Sequence, residues 1–144
     1  GHSAGAHTTL MLATDKQYLQ RAGLSPSDLR GVAGIAGPYS FTPDSEAAMA
    51  VFGPAERYPL MDIFNYVDGD EPSTLLLHSK ADEQVGQYNQ DGLAERLKNA
   101  GVDVETVLYE DYSHVDIVLK LHPWFTRNQT VAADIHRFFS ARMN

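Results

Sequence analysis

The stretch Gly1–Ala13 reads GHSAGAHTTLMLA and contains two signals that decide the fold. Its first five residues form a G-x-S-x-G pentapeptide, and the residues that follow are almost all small or apolar. This combination is typical of a sharp turn that leads into a helix buried on most sides. We expect a helix over Ala4–Ala13, with Ser3 at its N-terminus. A side chain in place of Gly1 or Gly5 is expected to collide with the neighbouring backbone.

Three short apolar runs farther along the chain predict strands. They are Gly31–Ala36, Thr74–Leu77 and Val102–Tyr109, and the last of them alternates apolar with more polar residues. A helical pattern over Val85–Ala100, closed by Gly101, separates the second run from the third. Because strands alternate with helices, we expect an α/β fold with three parallel strands.

The remaining segments predict shorter helices. Asp44–Phe52 and Leu60–Tyr66 predict two of them inside a long excursion, which we interpret as pocket-lining or lid structure. Val115–Leu121 predicts a third, and apolar residues at helical spacing predict an amphipathic helix over Thr130–Arg142. Asn128–Thr130 matches the N-glycosylation pattern, which we interpret as incidental.

Composition excludes several classes of partner. No apolar run of the 144-residue chain approaches the roughly 20 residues that cross a bilayer, so we expect no membrane span. The formal net charge of −8 and the lack of a Lys/Arg cluster argue against nucleic acid. Without cysteine, the chain has neither a thiolate nucleophile nor a thiolate metal site.

The pentapeptide predicts nucleophilic chemistry. A serine hydroxyl is a weak nucleophile until a base removes its proton, so a histidine and an orienting carboxylate are expected farther along. Asp82 follows the second predicted strand and His114 follows the third, which puts both at the carboxyl edge of the sheet. We predict Ser3 as nucleophile, His114 as general base and Asp82 as the acid that orients it. The Ala4 N–H, at the start of the helix, is the first candidate oxyanion donor.

Each of these assignments has an alternative. Ser3 could be an ordinary helix N-cap, and Glu83 or Asp111 could take the role of the acid. His114 competes with five other histidines. We interpret His78 and His136 as structural and His122 as a surface or packing residue.

Two further sets of residues bear on ligands. Aromatic residues in predicted loops near the carboxyl edge are candidates for the substrate pocket: Tyr39, Phe41, Phe64, Tyr66 and Trp124. His2 and His7 are five apart, which is not the i,i+4 spacing of a helical metal pair. No H-E-x-x-H motif occurs either, so we expect no metal.

Four segments together resemble the carboxylesterase branch of the α/β-hydrolases, which includes feruloyl-esterase-like and kynurenine-formamidase-like proteins. They are Gly1–His7, Gly31–Tyr39, Leu75–His78 with Asp82, and Tyr109 with His114 and Val115. The resemblance covers essentially the whole chain but only the C-terminal half of the family's fold. It implies hydrolysis of small esters or aryl amides without a cofactor, with the triad roles on Ser3, Asp82 and His114. One departure is Ser79, where such proteins commonly have glycine, and we expect it to be tolerated.

The resemblance also implies that residues 1–144 are the C-terminal portion of one α/β-hydrolase domain. The N-terminal half would supply a strand that ends at Gly1 and the second oxyanion N–H. Losing one such donor typically costs about 3–4 kcal/mol, so we expect little activity from this portion without its missing partner half. An exposed apolar sheet edge is expected at Gly31–Ala36.

Several functions share this architecture. We expect a carboxylic ester hydrolase first, with a small-molecule ester or amide as substrate. An arylformamidase uses the same triad on an N-formyl amide and ranks second, and a serine peptidase of the prolyl-oligopeptidase type ranks third. From another class, a non-catalytic relative that keeps the fold for binding is the remaining alternative.

Overall fold

A three-stranded parallel sheet lies at the centre of the computed structural model, which describes residues 1–125 and 130–143. Its strands are β1 (Val32–Ile35), β2 (Thr74–Ser79) and β3 (Val104–Tyr109), in the order β1-β2-β3. All six residues of β2 are buried, as expected for a central parallel strand covered on both faces. The predicted α/β fold with three parallel strands is confirmed. Asn128 of the glycosylation pattern lies outside the described residues.

Helices flank the strands along the chain. They are α1 (Ala4–Thr14), α2 (Gln17–Arg21), α3 (Glu46–Phe52), α4 (Tyr88–Asn99), α5 (Asp116–Leu119) and α6 (Thr130–Ser140). The short helix α2 falls in a polar stretch for which the sequence pattern predicts no helix. None of the helices in the described part of the chain combines the length and apolar character that a membrane crossing requires.

The side chains of β2 alternate between two apolar clusters, one on each face of the sheet. Leu76 packs with residues of α1 and α4, among them Leu10, Leu93 and Leu97. Leu75 and Leu77 pack on the opposite face, with Ile117, Val131 and Phe138. Burying both faces of the strand holds its carboxyl end, from which the loop of Asp82 leaves, at a fixed place.

The helix predicted over Leu60–Tyr66 forms only in part, as the 3₁₀ helix Ile63–Asn65. A separate 3₁₀ helix, Ala55–Leu60, ends where the predicted helix was expected to begin. The Asp62 side chain accepts the Phe64 amide proton at 3.0 Å, which starts a separate turn.

The prediction of an exposed sheet edge over Gly31–Ala36 is wrong for the second half of this segment. Residues 1–3 run parallel to β1 and pair with it: the amide of Ile35 donates to the Gly1 carbonyl, and the amide of Ser3 donates to the Ile35 carbonyl, both at 2.9 Å. The Gly1 amino group donates to the Ala33 carbonyl at 2.9 Å. Residues 1–3 lead into α1 along this edge of the sheet, and they therefore cover Ala33–Ile35.

Candidate active site

Ser3 sits in a strained turn between the sheet edge and α1. Its backbone has φ 54° and ψ −124°, a left-handed conformation that costs a non-glycine residue about 1–3 kcal/mol. The hydrogen bond from its amide to Ile35 and the first turn of α1 hold it there. Its hydroxyl does not cap the helix, which removes the interpretation of Ser3 as an ordinary N-cap.

The two glycines of the pentapeptide are not equivalent. A Cβ at Gly1 would lie 2.2 Å from the Gly5 carbonyl oxygen and 2.6 Å from Oγ1 of Thr9, so only glycine fits. A Cβ at Gly5 meets no atom within 4 Å among the described residues. The expected collision is therefore confirmed at Gly1 and wrong at Gly5, because Gly5 faces outward from α1.

Ser3, His114 and Asp82 form a continuous chain of hydrogen bonds. The Oγ of Ser3 lies 2.8 Å from Nε2 of His114, and Nδ1 of His114 lies 2.7 Å from Oδ2 of Asp82. The side chains of His114 and Asp82 are 7% and 1% exposed. They come from the turns after β3 and β2, and Ser3 comes from the turn before α1. The folded chain thus brings the three predicted triad residues together.

Asp82 is held as an ionised carboxylate. Its Oδ1 accepts the amide protons of Gln84 and Val85, each at 2.9 Å. Burial acts to raise the pKa of Asp82, but these amides and the His114 ring outweigh it, so the pKa lies below its usual value. The charged carboxylate favours a proton on Nδ1 of His114, which leaves the Nε2 lone pair to accept the Ser3 proton. Glu83 and Asp111, the alternative acids, are both exposed.

Ala4 begins α1 directly after Ser3. The next two amides are engaged, since Gly5 donates to the His2 carbonyl at 2.8 Å and Ala6 donates to the Ser3 carbonyl at 2.9 Å. Ala4 itself is exposed at the positive end of the helix dipole. Its N–H remains the candidate donor for an oxyanion that forms beside Ser3.

The other histidines have different surroundings. His78 is buried in β2, and burial lowers its pKa. His7 lies 2.7 Å from the Met61 carbonyl oxygen through Nε2. His122 packs edge-on against Trp124, and His136 lies exposed on α6. His114 is the histidine that contacts the Ser3 hydroxyl.

The aromatic pocket candidates are dispersed. Tyr39 is 1% exposed and belongs to the core, because Gly34 leaves room for its hydroxyl end. Phe64 packs into the slot that Gly92 leaves on α4, and the Arg96 guanidinium lies 4.7 Å from its ring centroid. The burial of Tyr39 corrects the expectation that it lines a pocket. Phe64 does line a cavity, of about 250 Å³, together with Gly92 and Arg96.

Phe41 alone among these candidates lines a cavity next to the acid loop. The cavity has a volume of about 260 Å³, and Gln84 and Val85 form part of its wall. Tyr66 donates its hydroxyl proton to the Leu60 carbonyl at 3.0 Å. Trp124 is 89% exposed, so the structure places it in solvent rather than in an enclosed pocket.

Two residues near the triad were missed by the sequence reasoning. His2 lies 2.8 Å from the His114 carbonyl oxygen, and the buried Ser79 hydroxyl accepts the Tyr112 amide proton at 3.0 Å. The only signal for Ser79 was its departure from the glycine that is common in the resembling family. Nothing in the spacing of His2 indicates its contact, because the partner is a backbone atom 112 positions away.

Solved structures with this fold include esterases and a peptidase. A carbohydrate esterase from gut microbiota superposes with a TM-score of 0.76 at 19% identity, covering 99% of this chain and 57% of that one. Dipeptidyl peptidase 4 of Porphyromonas gingivalis gives 0.72 at 19% identity, covering 99% and 19%. Thermogutta terrifontis esterase 2, phosphoramylated by tabun, gives 0.72 at 16% identity, covering 98% and 53%. This chain therefore spans between about a fifth and just over half of their lengths.

The family is given by sequence. The model of the prolyl oligopeptidase family matches residues 1–141, whereas no curated protein matches the chain significantly. The match agrees with the α/β-hydrolase fold that the sequence predicts. It favours the prolyl-oligopeptidase type, the third alternative of the sequence analysis, over the carboxylesterase branch. This chain belongs to the prolyl oligopeptidase family, a family of serine hydrolases with the α/β-hydrolase fold.

Proposed function

We propose that the protein hydrolyses small carboxylic esters through an acyl-enzyme formed on Ser3. The observation that carries the proposal is the hydrogen-bonded chain from the Ser3 hydroxyl through the His114 ring to the Asp82 carboxylate, at 2.8 and 2.7 Å. A serine in this setting has a base within reach of its proton and a charged group behind the base.

Acylation begins when Nε2 of His114 takes the Ser3 proton as Oγ attacks the ester carbonyl carbon. The carbonyl oxygen becomes an oxyanion, which the Ala4 N–H stabilises at the start of α1. When the intermediate collapses, the bond to the alcohol breaks and His114 gives its proton to the departing oxygen. Ser3 is left as an acyl ester.

Deacylation repeats these steps with water. His114 removes a proton from water, whose oxygen attacks the acyl carbon, and the proton then returns to Oγ of Ser3 as the carboxylic acid departs. Asp82 stabilises the imidazolium of His114 in both halves of the reaction. Its 1% exposure matters because water screens the attraction between the two charges little there.

We favour esters as the substrate class because two of the similar structures are esterases, the carbohydrate esterase and Thermogutta terrifontis esterase 2. At identities of 19% and 16% these relatives support the fold, and the substrate class is carried over as part of the proposal. A peptidase is the second candidate, because the family is that of prolyl oligopeptidase and dipeptidyl peptidase 4 has the same fold.

Labelling with a fluorophosphonate probe tests the nucleophile. We expect the protein, assayed at its natural full length, to gain one phosphonyl group on Ser3, located by peptide mass spectrometry. Ser3→Ala should stay unlabelled. Ser27→Ala, which changes an exposed serine of the turn at Pro26–Asp28, should be labelled like the wild type. An unlabelled wild-type protein would point to a non-catalytic relative and end the proposal.

Matched substrates then separate the candidate activities. We expect a higher kcat/KM for acetyl esters of aliphatic alcohols than for an N-formyl anilide or a dipeptidyl anilide. Higher values for the N-formyl anilide would identify an arylformamidase. A preference for the dipeptidyl anilide would identify a peptidase and leave the Ser3 mechanism intact.

A further inference from the structure

His2, the residue before Ser3, makes a contact outside the triad. Its Nε2 lies 2.8 Å from the backbone carbonyl oxygen of His114. The two imidazole rings are neighbours, with centroids 4.7 Å apart and planes tilted by 43°. The backbone of His2 pairs with Ile35 at the edge of the sheet. One residue thus connects the sheet edge, the turn of the nucleophile and the loop of the base.

The partner atom fixes which nitrogen of His2 carries a proton. A carbonyl oxygen only accepts hydrogen bonds, so Nε2 of His2 must be the donor. The neutral ring with its proton on Nε2 satisfies this requirement without any positive charge.

A neutral His2 suits its position beside the base. Burial lowers the pKa of His2, the hydrogen bond to the His114 carbonyl raises it, and charge on the His114 ring lowers it again, with a net shift downward. During the proposed reaction His114 becomes an imidazolium. A lysine or arginine at position 2 would also donate a hydrogen bond, but its charge would oppose that imidazolium.

Asp82 and His2 hold different parts of the base. Asp82 fixes the ring of His114 through Nδ1. The hydrogen bond from His2 fixes the backbone of the same residue, and it comes from the segment that carries Ser3. The nucleophile and the base are therefore connected directly by two links, the 2.8 Å contact of Oγ with the His114 ring and the 2.8 Å contact of His2 with the His114 carbonyl.

We infer that His2 is a positioning residue that holds the backbone of His114 so that its Nε2 stays within hydrogen-bond distance of the Ser3 hydroxyl. The inference rests on the proposed function of Ser3 and His114. A misplacement of about 1 Å in a catalytic group can cost about a hundredfold in rate, so one backbone hydrogen bond has a measurable effect.

Three substitutions of His2 separate the hydrogen bond from the volume of the ring. His2→Phe keeps a ring and removes the donor. His2→Gln restores an N–H that extends about as far from the backbone as Nε2, whereas His2→Asn places its N–H near the position of Nδ1, too close to the backbone to reach the carbonyl. The rate constant of fluorophosphonate labelling, kcat and KM for a small ester, and the thermal midpoint are measured for each.

We expect His2→Phe and His2→Asn to lower kcat and the labelling rate by about tenfold to a hundredfold, with KM nearly unchanged. His2→Gln should recover most of the loss. Recovery by glutamine but not by asparagine is a readout that a role in stability alone would not produce.

Two outcomes overturn the inference. One is a phenylalanine variant that is labelled at the wild-type rate, and the other is a folded glutamine variant as slow as the asparagine variant. If His2→Phe fails to fold, the comparison of glutamine with asparagine still decides. Failure of the proposed function is distinguishable, because the wild-type protein itself would then resist labelling.

Discussion

The side-chain oxygen of Ser79 accepts the backbone amide proton of Tyr112 at 3.0 Å. Ser79 ends β2 and is 2% exposed, and the same oxygen lies 3.4 Å from the amide nitrogen of Ala81. Ala81 directly precedes Asp82, and Tyr112 lies two positions before His114. One buried hydroxyl therefore links the loop of the acid to the loop of the base.

Ser79→Ala should lower both stability and turnover. The change leaves the Tyr112 amide without its acceptor, and an unsatisfied polar group of this kind typically costs about 1–3 kcal/mol in the free energy of unfolding. Because Tyr112 belongs to the loop of His114, we also expect kcat to fall more than KM rises. Urea unfolding and ester hydrolysis measure the two effects, with Ser27→Ala as the control at an exposed serine. If the free energy of unfolding and kcat are both unchanged, the hydrogen bond between Ser79 and Tyr112 contributes to neither stability nor turnover.

The two glycines of the pentapeptide should respond in opposite ways to alanine. Gly1→Ala puts a methyl group 2.2 Å from the Gly5 carbonyl oxygen, so the turn must distort and labelling of Ser3 should be lost. Gly5→Ala meets no described atom within 4 Å and replaces a helical glycine, which predicts a gain of about 0.5–1 kcal/mol. Thermal unfolding of both variants checks this, and a Gly1→Ala protein with normal labelling would contradict the geometry of the turn.

Asp82→Asn should lower kcat/KM by about 10⁴-fold while the fold persists. The amide of asparagine donates to Nδ1 of His114, which moves the ring proton to Nε2 and removes the lone pair that accepts the Ser3 proton. Labelling by the fluorophosphonate should slow in parallel. Glu83→Gln changes an exposed neighbour and serves as the control. Equal losses in the two variants would mean that Asp82 has no special role.

The sequence was sufficient for the triad geometry because topology determines it. Buried parallel strands have readable apolar runs, and their carboxyl ends meet at one edge, so the loops after β2 and β3 had to bring Asp82 and His114 close together. The glycine requirement at Gly1 followed from the tightness of the turn. These inferences depend on the order of elements along the chain and not on the packing of individual side chains.

Features that depend on packing were not predictable in the same way. An aromatic residue in a loop is a candidate for a pocket, but Tyr39 packs into the interior, where Gly34 leaves space for its hydroxyl end. The Ser79 hydroxyl acts on an amide 33 positions away, and no local pattern marks such a contact. The contacts of aromatic side chains and single hydroxyls depend on how the strands and helices pack together, which the local sequence does not show.

Arg142, just after α6, connects the segment that follows this helix to the start of β3. Its Nη2 lies 2.6 Å from Oδ2 of Asp103 and 3.0 Å from Oε1 of Glu105. The hydrogen bond to Arg142 lowers the pKa of Asp103, and the hydrogen bond to Arg137 is the main cause of the lowered pKa of Glu105. These carboxylates therefore hold their protons less tightly in the folded protein than in the unfolded chain.

Arg142→Met should make the stability of the protein depend less on pH below neutrality. Because the folded pKa values lie below the unfolded ones of about 4, the ion pairs stabilise the fold fully above that pH. The stabilisation is lost as the pH falls through the lowered values of the folded state. The difference in urea midpoint between wild type and variant should thus be larger at neutral pH than at a pH below the lowered pKa values of the folded state. The contacts of Arg142 with the Phe138 carbonyl and ring do not depend on these carboxylates and leave a part of the difference that does not change with pH. Lys80→Met breaks the ion pair between Lys80 and Glu110, whose side chains are both more than half exposed to solvent. This variant should change the urea midpoint less than Arg142→Met does, because solvent screens an exposed ion pair. A wild-type advantage that grows as the pH falls would have the wrong sign for this linkage.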